Sequence, residues 1–258
     1  KIFQAYGPSD DAQNVLTYTI NQLKTNQNAE LSSGDGLRDW IYINDLVDAF
    51  IKILEQPDDS VGYFDLITNK FVKLDETLAW NWQQGSQLQW LPTKYGDEII
   101  YNNILDNRFV SIIYNIKRNE KRIIPFPIYS LHPNGKEALG INYERHYWCR
   151  PGYNYQNIKN KKWDVPFHEN DGIYKIDLEK GDVKLIVKIT DIIKNNKILV
   201  FDTANSWLEH MMYNESGDRF MFFHRWDEGG RDHTRLYTAN SYNGGELFFY
   251  PDNRFYSH

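Results

Sequence analysis

Residues 224–233 hold a dense group of side chains suited to recognition chemistry: His224-Arg225-Trp226, then Arg231 and His233. Tryptophan offers a flat stacking face and a guanidinium forms a two-pronged bond to a carboxylate, so Arg225 beside Trp226 suits an anionic sugar. His132, His146 and His168 fall in turns or in a long insertion with no partner at ligand spacing, which points to surface or packing roles. Asn214-Glu215-Ser216 has the form of an N-glycosylation acceptor, meaningful only on a eukaryotic secretory route. The strings H-E-x-x-H, G-x-S-x-G and C-x-x-C do not occur.

The elements that must hold these residues are short β-rich runs, and their order repeats. Residues 89–92, 98–101, 109–114 and 121–124 predict four successive strands; 128–131, 138–141, 172–176 and 183–187 repeat the plan around an insertion. Residues 210–213, 219–223, 234–238 and 246–250 repeat it again. Four strands per unit, with Asn-x-Gly or Asp/Asn turns, is the blade of a β-propeller; a small β-sandwich is the alternative, although it does not require the repeated order. Phe255-Tyr256-Ser257-His258 reads as the start of a fourth copy, so the chain is expected to stop in mid-blade, leaving open blade faces that a protein partner could cover.

Before about Leu78 the pattern is α/β. Asn14–Leu23 and Asp45–Leu54 place apolar residues at helical spacing, with Asn44 or Asp45 as cap of the second helix and Pro57 beyond its end. Ala29–Leu31, Trp40–Ile43 and Gly62–Ile67 read as strands, and Ser32–Gly36 as a turn. The expected fold class is therefore mixed, a small α/β segment at 1–78 followed by an all-β partial β-propeller of about three blades at 79–258.

Bulk composition excludes several partners. The net charge of −6 and pI near 5.7 leave no basic footprint for nucleic acid, and no apolar run approaches a membrane span. A lone cysteine, Cys149, forms no internal disulfide, so the cytoplasm is the default compartment, although an upstream segment could have carried a signal.

Tyr6-Gly7-Pro8, Glu30-Leu31, Gly34-Asp35-Gly36 and Arg38-Asp39-Trp40-Ile41-Tyr42-Ile43-Asn44-Asp45-Leu46 resemble the C-terminal part of the NAD-dependent nucleotide-sugar epimerases and dehydratases, the extended short-chain dehydrogenases. The resemblance implies that Arg38 grips the diphosphate of a nucleotide sugar and that Glu30 and Leu31 run beside the base; pairing of Arg38 with Asp39 or a helix carboxylate is the structural alternative. The family's Gly-rich NAD turn and its Tyr/Lys acid-base pair are absent, so no cofactor is expected in this chain although the complete family binds NAD. Tyr155 and Lys159 stand four apart, but far downstream in an Asn- and Lys-rich loop, and read as a chance match.

Glu209-His210-Met211, Phe223-His224-Arg225-Trp226 and Ser257-His258 resemble, more loosely, a propeller of the oligogalacturonate lyase and tricorn/WD-like group. That resemblance implies His210 and His258 as ligands of a manganese ion, with an acidic polysaccharide over the propeller mouth; Arg225 departs from the group, which carries an acid there. The join near Leu78 has no flexible linker and reads as a fusion point in a chain cut at both ends. The expected function is that of a truncated or fused carbohydrate-related protein, inactive as an isolated enzyme, whose first piece is a sugar-nucleotide-binding remnant and whose second binds acidic oligosaccharide. A metal-dependent polysaccharide lyase and a non-catalytic interaction module are the alternatives.

Overall fold

The computed structural model describes residues 4–6, 15–28, 40–56, 60–65, 68–92, 96–195 and 203–250. The chain divides into two compact units, residues 1–75 and 76–258.

In the first unit, β1 (Gln4–Tyr6) and β2 (Trp40–Tyr42) pair in parallel, and α1 (Val15–Lys24) lies in the connection between them. Parallel neighbours need such a crossover, because a tight turn can only reverse the chain. The helix α2 (Ile43–Leu54) starts directly after β2. Ile43 therefore opens the helix instead of closing the strand, and Asn44 and Asp45 lie in its first turn, where an acid suits the positive helix end. The strands β3 (Ser60–Asp65) and β4 (Lys70–Glu76) form a second small sheet, and Lys52 Nζ donates to Asn69 O at 3.2 Å.

The second unit contains three antiparallel sheets of four strands each. The first holds β5 (Gln89–Trp90), β6 (Glu98–Leu105), β7 (Arg108–Asn115) and β8 (Glu120–Ile124); the second holds β9 (Ser130–Leu131), β10 (Glu137–Ile141), β11 (Gly172–Asp177) and β12 (Val183–Lys188). The third holds β13 (Ser206–Tyr213), β14 (Arg219–Glu228), β15 (Arg231–Asn240) and β16 (Phe248–Phe249). Asp106 and Asn107 both take positive φ, 47° and 56°, which gives the tight reversal between β6 and β7 that right-twisted strands require.

Each sheet is a meander, and apolar residues fill the space between successive sheets. Leu91, Ile100 and Ile113 of the first sheet region pack with Ala138 and Ile176 of the second. Leu139, Ile173 and Val187 of the second pack with Leu208, Phe220, Phe222 and Tyr237 of the third. The first strands and the residues flanking them are cross-linked: Gln89 Nε2 donates to Tyr129 O, Leu131 N donates to Gln89 Oε1, and His132 Nε2 lies 2.9 Å from Gly217 O in the turn after β13. Repeated four-stranded meanders stacked face to face, first strand beside first strand, are propeller blades.

One expected boundary moves. The second strand of the third blade does not end at Phe223, since β14 continues to Glu228 and turns through Gly229 and Gly230, both at positive φ, into β15. His224, Arg225, Trp226 and His233 are thus strand residues with alternating sides. The insertion between β10 and β11 also has structure, namely α3 (Tyr143–Cys149) and short 3-10 turns at Pro151–Tyr153 and Lys161–Trp163.

Candidate functional site

The densest cluster of ionisable groups among the described residues surrounds Glu209 on β13, whose side chain is fully buried. Arg225 Nε stands 2.8 Å from Glu209 Oε1, the Arg150 guanidinium binds the same oxygen, and His210 Nδ1 lies 3.3 Å from it. His146 Nε2 approaches the other oxygen, Oε2, at 3.3 Å.

Local structure explains how these groups meet. Asn142 caps α3, its side chain accepting from Arg145 N, and residues four apart on a helix share a face. His146 and Arg150 therefore both reach Glu209, while Arg145 and Cys149 face one another, and Pro151 stops the helix just beyond Arg150. On the sheet side Glu209 pairs with Phe223, and the register shifts between Glu209 and Met212. That β-bulge is centred on His210, which takes φ 55°, and it lets two neighbouring side chains turn toward one cluster where a regular strand would send them to opposite faces. A non-glycine residue in the left-handed region costs free energy, and such strain concentrates at working sites. The freed His210 N–H donates to the Tyr129 hydroxyl at 3.0 Å.

Burial alone would raise the Glu209 pKa. Hydrogen bonds from His146 and His210, with the charges of His146 and Arg150, overcome it and hold the carboxyl well below the usual carboxylate range. His146 Nδ1 is buried without a hydrogen-bond partner among the described residues, so the ring meets the cluster through Nε2 alone. The Arg150 side chain is 17% exposed and that of His210 26%, so these two form the open rim over an otherwise closed group. Tyr153 completes the rim, its ring 4.0 Å from the Arg150 guanidinium. Asp232 adds a more distant negative field at Arg225. The cluster thus brings two fixed positive charges and two histidines onto one carboxylate, an arrangement that attracts a second anion.

A neighbouring cluster on the other face of α3 holds the insertion in place. Arg145 donates to Pro166 O at 2.8 Å and to Ser206 O at 3.2 Å, and its Nε lies 3.8 Å from Asp171 Oδ2. Burial raises Asp171 to about 6 in spite of Arg145, and pushes the Cys149 thiol up to about 12, which makes it a poor nucleophile.

Of the residues singled out from sequence, His210 and Arg225 lie in the Glu209 cluster. Trp226 points to the other side of β14, where it joins the core and stacks on His233 at 5.3 Å, so it presents no open face beside Arg225. His224 is buried, and burial lowers its pKa to about 3. Glu30, Leu31, Arg38 and His258 lie outside the described residues. Tyr155 is a core residue stacked on Tyr143 at 4.6 Å and bonded through its hydroxyl to Asn102, consistent with a chance spacing to Lys159. His146, read as a packing or surface residue, sits in the cluster instead. Glu209, Arg150 and His146 were missed; the available signal was a Glu-His pair inside an otherwise apolar strand, Trp207-Leu208-Glu209-His210-Met211.

The described residues do not suit a manganese ion at His210. A cation brought to Glu209 would stand beside two guanidinium groups, and no cluster of three or more His, Cys, Asp or Glu able to hold a metal occurs among the described residues. Nor do the described residues of the first unit build a cradle for the pyrophosphate of NAD: Gly62, their one glycine, lies inside β3. No described helix is long and apolar enough to cross a membrane.

Among solved structures, an oligogalacturonate lyase in complex with manganese is 14% identical over 73% of this chain and 45% of that chain, with a TM-score of 0.43. TolB from Acinetobacter baumannii is 16% identical over 69% of this chain and 34% of that chain, at a TM-score of 0.37. The β-propeller domain of the Trilobed protease from Pyrococcus furiosus is 16% identical over 60% and 40%, at 0.34. At scores this low the likenesses say nothing of function, and the blade plan stands on the sheet topology described above. The CDP-abequose synthase of Salmonella muenchen is 32% identical over 78 residues, and the chain spans 26% of the length of that relative. Residues 1–65 match the model of the NAD dependent epimerase/dehydratase family, so the first unit is similar to part of those enzymes.

Proposed function

We propose that the β unit binds an acidic oligosaccharide through the cluster around Glu209, with Arg150 and His210 at the open rim meeting a sugar carboxylate. The observation that carries this reading is the convergence of two guanidinium groups on one carboxylate oxygen, with Arg150 still partly open to solvent. Glu209 holds both cations in place and leaves part of the Arg150 fork for a ligand. The proposed role is recognition of the carboxylate by the charged rim.

Isothermal titration with oligomers of galacturonate and neutral oligomers of the same length tests it. Acidic oligomers are expected to bind, with affinity falling as salt is added, and Arg150→Leu is expected to weaken them about tenfold, the loss of one charge-assisted contact of about 1.4 kcal/mol. Equal affinity for acidic and neutral oligomers would refute the assignment.

For the first unit the related enzymes support a proposal of the same chemical class, binding of a nucleotide sugar, with Arg38 on the diphosphate and Glu30 and Leu31 beside the base. The relative's name makes a CDP-hexose the first ligand to try. Thermal stabilisation by it that disappears in Arg38→Ala supports the proposal, and an unchanged melting curve removes it.

A further inference from the structure

Trp82 is 76% exposed, the most exposed tryptophan side chain among the described residues, although its loop is firmly tied down. Asn81 is buried and its side chain makes four hydrogen bonds. Its Oδ1 accepts from Gln83 N at 2.8 Å and Gln84 N at 2.9 Å, and its Nδ2 donates to Gly152 O and Asn154 O, both at 3.1 Å. Gln84 Nε2 donates to Tyr153 O at 2.7 Å. Trp80 and Trp82 meet in a T-shaped contact, with centroids 4.7 Å apart and planes at 75°, and at 76% exposure the Trp82 indole still presents most of its surface to solvent.

The exposed ring is thus carried on a loop pinned by a buried polar anchor. The anchor fixes Trp82 relative to residues 152–154, and Tyr153 of that segment lies against Arg150 at the rim of the Glu209 cluster. The aromatic face and the cationic rim are therefore joined through one short stretch of backbone.

We infer that Trp82 is a stacking platform for a pyranose ring, a second subsite of the same oligosaccharide whose carboxylate meets Arg150. The C–H face of a pyranose is apolar and slightly positive, which suits the negative face of an indole, and stacking is indifferent to whether the ring carries a carboxylate. This rests on the acidic-oligosaccharide reading above for its orientation, but not for its stacking chemistry, and the two are separable by experiment.

The test is titration of the full chain and of Trp82→Ala with galacturonate monomer, galacturonate tetramer and a neutral tetramer of the same ring type, with sedimentation velocity on both proteins. Trp82→Ala removes an exposed side chain and leaves the Asn81 anchor in place, and unchanged circular dichroism checks that the fold is kept; Trp82→Tyr serves as the conservative variant. Expected is an unchanged affinity for the monomer, an approximately tenfold loss for both tetramers, and partial rescue in Trp82→Tyr. Wild-type affinity of Trp82→Ala for both tetramers overturns the platform and leaves the Arg150 reading standing. Binding of only the neutral tetramer, lost in Trp82→Ala, keeps the platform and removes the acidic reading. No binding of any sugar overturns both, whereas a self-association that Trp82→Ala abolishes while sugar affinity stays unchanged overturns the platform alone.

Discussion

Replacing Glu209 by Gln removes one negative charge and almost no volume, which isolates the electrostatic role of the cluster. The carboxylate is fully buried and faces Arg225, whose side chain is only 5% exposed, and Arg150. Breaking a buried ion pair by neutralising one partner costs about 3–5 kcal/mol, because the remaining charge loses its compensation where water cannot replace it. For a unit of this size each kcal/mol lowers the melting temperature by roughly 2–4 °C, so the drop for Glu209→Gln is about 10 °C. Urea unfolding followed through tryptophan fluorescence reads the same loss as a lower midpoint with an unchanged slope. The pH dependence has a fixed sign. A depressed folded pKa means that the stability from Glu209 is complete above its unfolded value, about 4.3, and is lost as pH falls below it toward the folded value. The variant should lack that part of the acid limb. It should also gain more melting temperature from added sulfate or galacturonate than the wild type does, since the guanidiniums then lack their compensating charge and draw an anion to the open rim at Arg150. An unchanged midpoint at neutral pH, or equal stabilisation of both proteins by anions, would refute the idea that Glu209 neutralises two trapped cations.

Three further perturbations read separate parts of the structure. Asp171→Asn removes a buried acid whose folded pKa is raised to about 6; a raised value means stability present below the unfolded pKa and lost as pH rises through 6, so the variant should lose less stability than wild type between about pH 4 and pH 6.5, by on the order of 3 kcal/mol, measured by urea unfolding at each pH. Gly217→Ala places a methyl group 2.4 Å from the His132 ring at φ 77°, so it should lower stability by about 2–4 kcal/mol by the same unfolding measurement, through overpacking and left-handed strain at a contact between two blades. His210→Gly relieves the positive φ of the bulge, worth about 1–2 kcal/mol, against the loss of one contact to Glu209; the melting temperature should stay within a few degrees while galacturonate affinity falls, and equal losses of stability and affinity would mean that the histidine is structural.

The order of the strands was legible because it is written locally. Residues 98–101, 109–114 and 172–176 are β-branched and aromatic runs bounded by turn residues, and the sheets formed where these runs occur. The two helices of the first unit were legible for the same reason, whereas α3 was not, and periodicity reports a face and not its partner: Val47, Phe50, Ile51 and Leu54 line one side of α2 and all four are exposed. Strand ends were less legible. The apolar run ends at Phe223, which places the predicted strand end there, yet β14 runs on through His224-Arg225-Trp226, with Trp226 toward the core and Arg225 toward Glu209.

The cluster itself was hidden by distance along the chain. Arg150 and Glu209 are separated by a strand pair, a helix and their turns, and neither has a local pattern that names the other. A buried carboxylate cannot stay charged without cations, so an acid inside an apolar strand implies a compensating base somewhere in the fold, but periodicity cannot say which. Here α3 supplies two of the partners because His146 and Arg150 fall one turn apart, and β14 supplies the third because Arg225 sits on the side of that strand facing Glu209. The bulge at His210 is the step no sequence rule anticipates: a histidine in a left-handed conformation is disfavoured locally and is held by the Tyr129 hydroxyl from the neighbouring blade. The site therefore depends on two blades and the insertion being packed together, which predicts that anion binding and cooperative unfolding of the β unit are lost in a single transition.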